Sequence, residues 1–137
     1  MQHDEFIGQV QSRAKLSSRG DAERATRAVL ETLGQRIPEG LAENVAAQLP
    51  HEIGEHLRRV IVAGGQGTGE RFGRQEFITR VAERAGVDEQ HAAYLARVVF
   101  EVVGEATSGG LMGKIRKSLP EDLEWLVTAG SRGKARE

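Results

Sequence analysis

A chain of 137 residues suits one ordinary domain or two very small units sharing a core, and 39% hydrophobic with 28% charged residues is too apolar for a disordered chain. Aromatics at 4% leave Ala, Val, Leu and Ile to build the core, which favours helix on helix, while the lack of cysteine excludes disulfides, thiolate zinc sites and a cysteine nucleophile. A net charge of -1 with interspersed signs gives no long-range pull toward nucleic acid or anionic lipid, and neither an apolar signal core in MQHDEFIGQV nor any stretch near ~20 apolar residues is present, which predicts a cytoplasmic protein off the membrane.

The first element places Phe6, Ile7, Val10 and Ala14 on one helical face, with Asp4 as its expected N-cap. A second helix is predicted from about Asp21 to Arg36 on the stripe Ala22, Ala25, Val29 and Leu33. A third, shorter helix carries Leu41, Val45 and Leu49 and meets Pro50. A residue before proline is pushed out of the α region, while proline itself fits the first turn of a new helix, so Leu49-Pro50 reads as a corner between two helices. Glu52 then stands favourably in the first turn of the fourth.

Past a glycine-rich stretch the pattern starts again. EFIGQVQSRA at Glu5 returns as EFITRVAERA at Glu76, 71 residues on, and LPHEIGEHL at Leu49 is answered by LPEDLEWLV at Leu119, 70 residues on. One gap near Arg19 and Gly20 reconciles the two offsets and sets Ala22 against Ala92, Val29 against Val99, Glu31 against Glu101 and Gly34 against Gly104. The second copy accordingly predicts a helix on Phe77, Ile78, Val81 and Ala85 stopping at Gly86, then one on Ala92, Leu95, Val99, Val102 and Val103 after an Asp88 N-cap. A third carries Leu111, Ile115 and Leu119. No alternating β-branched run is bounded by hairpin turns. The expected fold is therefore all-α: a helical bundle of two tandem four-helix units related by a pseudo-two-fold, with residues 1–62 and 73–130 as the repeats, 63–72 as a Gly-rich linker and 131–137 as a polar tail.

Three stretches invite a chemical reading. His51-Glu52-Ile53-Gly54-Glu55-His56 is one residue away from the zincin pattern, in which histidines four apart share a helix face. Five residues turn a helix by about 500°, leaving the two rings roughly 140° apart. The repeat keeps the corner but has Glu121 and Leu126 in their places, so no metal is expected. VIVAGGQGTGER, Val60 to Arg71, has Gly64 and Gly69 at P-loop spacing, yet Glu70 stands where lysine is needed and no sheet surrounds it, so it reads as a linker. GKIRK contributes Lys114, Arg116 and Lys117, a candidate basic patch for phosphate, with Arg58-Arg59 and the tail SRGKARE as smaller clusters. Trp125 and Tyr94 read as packing residues whose polar tips reach the core edge. No nucleophile elbow or paired-acid pattern occurs, so neither catalysis nor a cofactor is expected.

EFIxxV, then AVLETLG (Ala28 to Gly34), then AAQLP (Ala46 to Pro50), repeated as EFITRVAERAGV and KSLPEDL, resembles a bacterial family catalogued as domain of unknown function 2267. The likeness runs from about Asp4 to Val127, departing at Lys117-Ser118 where A-Q would precede Leu-Pro. It implies a duplicated helical fold in a bacterial cytoplasmic protein and carries over no catalytic residue. The residues lead to a non-enzymatic protein-interaction or scaffold module, its contact surface the groove between the halves or the fourth-helix faces after each Leu-Pro. The alternative is a nucleic-acid-associated protein using Lys114, Arg116 and Lys117, followed by a weak metal binder or an enzyme of unrecognised type. No residue pattern specifies an oligomeric state.

Overall fold

The computed structural model of the protein describes residues 1–64 and 70–128. Over these the chain is all-helical: α1 (His3–Ala14), α2 (Arg19–Arg36), α3 (Glu39–Gln48), α4 (His51–Gly64), α5 (Arg74–Ala85), α6 (Glu89–Ala106), α7 (Leu111–Lys117) and α8 (Glu121–Thr128). The tail 131–137 with its SRGKARE cluster, and most of the glycine-rich stretch expected as a linker, lie outside the described residues. The apolar run Val60 to Ala63 continues α4.

Local chemistry sets most of the helix ends. Ser18 caps α2, its hydroxyl accepting the Asp21 N–H at 3.1 Å, and Asp88 caps α6 by accepting the His91 N–H at 2.7 Å. α5 ends on Gly86 at φ 71° and α1 on Lys15 at φ 56°, both left-handed. Asp4 is not the cap expected of it. The Gln2 carbonyl already accepts the Phe6 N–H at 2.9 Å, so α1 starts at His3. Asp4 falls in the first turn, where Arg19 holds its carboxyl below the usual range. At the first corner Leu49 is extended at φ -92°, ψ 160°, and the Pro50 carbonyl accepts the Gly54 N–H at 2.9 Å, so α4 begins at once.

The two longest helices, α2 and α6, lie at the centre. Each buries residues around most of its circumference, as a helix enclosed by others must. α1 and α5 each pack against both of them, α3 and α4 cover one side of α2, α8 covers α6, and α7 lies against α3. One continuous apolar cluster draws on all eight helices. Phe6, Phe77 and Phe100 are fully enclosed in it, with the Phe77 and Phe100 rings 5.9 Å apart. A truncation such as Phe77→Ala removes a ring of this kind at a typical cost of about 3–5 kcal/mol. α3 approaches α4 through Gly54, where a Cβ would come within 2.6 Å of the Ala46 carbonyl oxygen.

Candidate functional site

The end of α2 creates the most distinctive surface. Ile37 follows Arg36 and is fully buried, so the chain dives into the core and takes Arg36 with it, leaving that residue 5% exposed. A guanidinium cannot be enclosed without partners for its N–H groups. Arg36 Nε donates to the Phe72 carbonyl at 2.7 Å and Nη1 to the Ser118 carbonyl at 3.4 Å, while the group lies 6.0 Å from the Phe72 ring centre. Both acceptors are neutral. Burial, followed by repulsion from Arg71, lowers the Arg36 pKa, with Asp122 opposing.

Around Arg36 a concave pocket of about 680 Å³ opens between the C-terminus of α2, the segment before α5 and the second Leu-Pro corner. Arg71 and Lys117 line it beside Arg36, and Asp122 is the one carboxylate in the lining. Among the described residues none of these three cations is in ion-pair contact with a carboxylate. Elsewhere arginines are commonly neutralised: Arg13 by Glu101 and Glu105, Arg80 by Glu70 and Glu76, Arg84 by Glu31. Asp122 is engaged in another task. Its Oδ2 accepts the Arg74 N–H at 3.0 Å, capping α5 from across the fold, and Gly73 permits that approach because a Cβ there would lie 2.8 Å from the same oxygen.

The wall of the pocket is held firmly. Besides Arg36, the Phe72 ring carries Arg80, whose guanidinium sits 4.0 Å from the ring centre. Glu70 donates its N–H to the Gln35 carbonyl at 2.9 Å and pairs with Arg80 at 3.1 Å, which fastens this segment to the end of α2.

The basic patch expected at Lys114, Arg116 and Lys117 is divided. All three are exposed on the short α7, whose Leu111 and Ile115 face inward, but only Lys117 lines the pocket. Arg36 and Arg71 had not stood out in the sequence. His51 is exposed and sits 3.8 Å from Glu55, whereas His56 is partly buried and has Arg59 as its polar neighbour. No group of three His, Asp or Glu side chains with metal-binding geometry occurs among the described residues. Of the P-loop-like stretch, Gly64 ends α4, Glu70 holds the segment before α5, and residues 65–69 lie outside the description. Tyr94 donates its hydroxyl to the Arg13 carbonyl at 2.8 Å, and Trp125 packs on the core with the Arg97 and Arg74 guanidinium groups 5.2 and 5.4 Å from its ring centre. No described helix is long and apolar enough to cross a membrane.

No curated protein matches the sequence. The family model described as "Uncharacterized conserved protein (DUF2267)" matches residues 3–126, and so with nearly its whole length the chain belongs to that family.

Proposed function

We propose that the protein is a non-enzymatic helical module that binds another protein, and that its recognition surface is the cationic pocket at the second Leu-Pro corner. The observation that carries this reading is the gathering of Arg36, Arg71 and Lys117 around one concavity without ion-pair partners among the described residues. Charge left uncompensated at the rim of a pocket attracts a complementary partner and fixes its register. Met1 is the one exposed large apolar side chain among the described residues, so recognition here relies on polar groups rather than a broad apolar patch.

The same proposal takes the eight helices as two copies of one four-helix unit, residues 1–62 and 73–130, joined by 63–72 and working together in a cytoplasmic protein. Support comes from matched lengths, 12 residues for α1 and α5 and 18 for α2 and α6, and from left-handed caps at the equivalent Lys15 and Gly86. On this reading the pocket distinguishes the copies, since Ala106 and Ala47 stand opposite Arg36 and Lys117.

A photo-crosslinking amino acid placed at position 117 of the intact protein tests the reading in cells. One discrete protein adduct that disappears on Arg71→Glu is expected; no adduct, or an adduct removed by nuclease, contradicts it. The nuclease-sensitive outcome is the signature of the second reading, association with nucleic acid through Lys114, Arg116 and Lys117, for which the exposure of all three on α7 is the supporting observation.

A further inference from the structure

Three cations and one carboxylate give the pocket lining a formal charge of +2. Asp122 is already counted in that sum, and its Oδ2 accepts the neutral Arg74 N–H at the start of α5 rather than pairing with one of the three cations. Arg36 contributes to the positive excess: the residue is 5% exposed, and two of its nitrogens are spent on neutral carbonyls rather than on a carboxylate. Enclosing a cation without a counter-charge is costly, and the cost falls when an anion arrives. Arg71 and Lys117 are exposed and can turn toward such an anion without breaking an ion pair of their own.

We infer that the Arg36, Arg71 and Lys117 pocket takes a dianionic phosphomonoester, presented by a phosphorylated side chain of the partner protein. The inference rests on the protein-binding reading above and names the chemistry that surface selects. A carboxylate has one charge and two oxygens, which leaves the lining at +1. A phosphomonoester has up to two charges and three terminal oxygens, enough to meet two guanidinium groups and an ammonium together. Asp122 opposes any anion that approaches its side, so the phosphate sits toward the three cations.

Calorimetric titration of the intact protein with a short phosphoserine peptide, its glutamate counterpart and inorganic phosphate tests this. The phosphoserine peptide is expected to bind saturably, about tenfold or more tighter than the glutamate peptide. Its affinity should rise from about pH 5 to about pH 7 as the second phosphate ionisation completes and the dianion meets Arg36, Arg71 and Lys117 beside Asp122. Arg71→Glu and Lys117→Glu alter exposed side chains, so each should weaken binding about tenfold or more while leaving the melting temperature in place. Absence of saturable binding by either phosphate probe, or binding unmoved by both reversals, overturns the inference and leaves the protein-binding reading to the crosslinking result. Inorganic phosphate binding as tightly as the peptide overturns the phosphoprotein source, marking a site for free phosphate.

Discussion

Arg13 Nη1 donates to Glu101 at 2.9 Å where α1 packs on α6, and Arg84 and Glu31 meet at 3.4 Å where α5 packs on α2. α1 is thus held by an arginine to α6, and α5 to α2. The two pairs are set differently. Arg13 also takes Glu105 with both terminal nitrogens, at 2.8 and 2.7 Å, whereas Arg84 donates to Thr32 at 2.7 Å and Gln35 at 3.0 Å. Glu31 further faces Arg59 at 3.6 Å and Arg27 at 3.8 Å. Removing that carboxylate leaves three arginines around an empty centre, so Glu31→Ala should destabilise by about 1–3 kcal/mol. A double-mutant cycle of Arg84 with Glu31, read by urea unfolding, should give a coupling of about 0.5–1.5 kcal/mol.

Two glycines in helices should respond in opposite directions. A methyl at Gly54 meets the Ala46 carbonyl oxygen at 2.6 Å, a backbone atom that can retreat only if α3 moves, so Gly54→Ala should cost about 1–3 kcal/mol. Gly8 is exposed in the middle of α1 with nothing within 4 Å of an added Cβ. There the entropic penalty of glycine is relieved at no steric cost, and Gly8→Ala should stabilise by about 0.5–1 kcal/mol. Thermal melts of the two variants check both signs.

The left-handed ends of α1 and α5 supply a second opposed pair. Lys15 holds φ 56° with a side chain that disfavours it, while Gly86 holds φ 71° freely. Lys15→Gly should raise stability by about 0.5–1 kcal/mol and Gly86→Ala lower it by about 1 kcal/mol, although open space surrounds the Gly86 site. Equal effects of the same sign would contradict the backbone assignment.

His56 should impart a pH dependence. Burial first, then the charges of Arg59, Arg27 and His3, lower its pKa from 6.5 to about 4 against the pull of Glu55. The folded-state value lies below the unfolded one, so the unfolded chain takes up the proton first. The contribution is therefore complete above about pH 6.5, is lost as pH falls toward about 4 and is constant below that. Because the ring keeps partial access to solvent, the loss should stay within about 1–2 kcal/mol. His56→Leu, which removes the titrating ring, should flatten the difference in urea midpoint between about pH 7 and about pH 5 relative to wild type. An unchanged slope would assign the titration to other groups.

What the sequence made legible is what short-range chemistry determines. Phe6, Ile7, Val10 and Ala14 are all buried as their spacing requires, Asp88 caps α6, and Leu49-Pro50 turns the chain between α3 and α4. Asp4 is not the cap because a start two residues earlier satisfies the same periodicity, and the Gln2 carbonyl accepting the Phe6 N–H separates the alternatives. The pocket was hidden for a different reason. Arg36 at a helix C-terminus looks like a solvated charge that complements the dipole. Its burial depends on carbonyls 36 and 82 residues away, at Phe72 and Ser118, which no local pattern encodes. One signal did exist in the sequence, the apolar Ile37 directly after it, which the structure buries completely.

Amide NMR of the intact protein during titration with the phosphoserine peptide tests the central claim most directly, that the second Leu-Pro corner is the recognition surface. The account predicts saturating shifts centred on Arg36, Arg71, Phe72 and Lys117 to Leu119, which in Lys117→Glu need about tenfold more peptide to saturate. Shifts that instead centre on Lys114 and Arg116, fall near His51 and His56, or saturate at the same peptide concentration in that variant would contradict it.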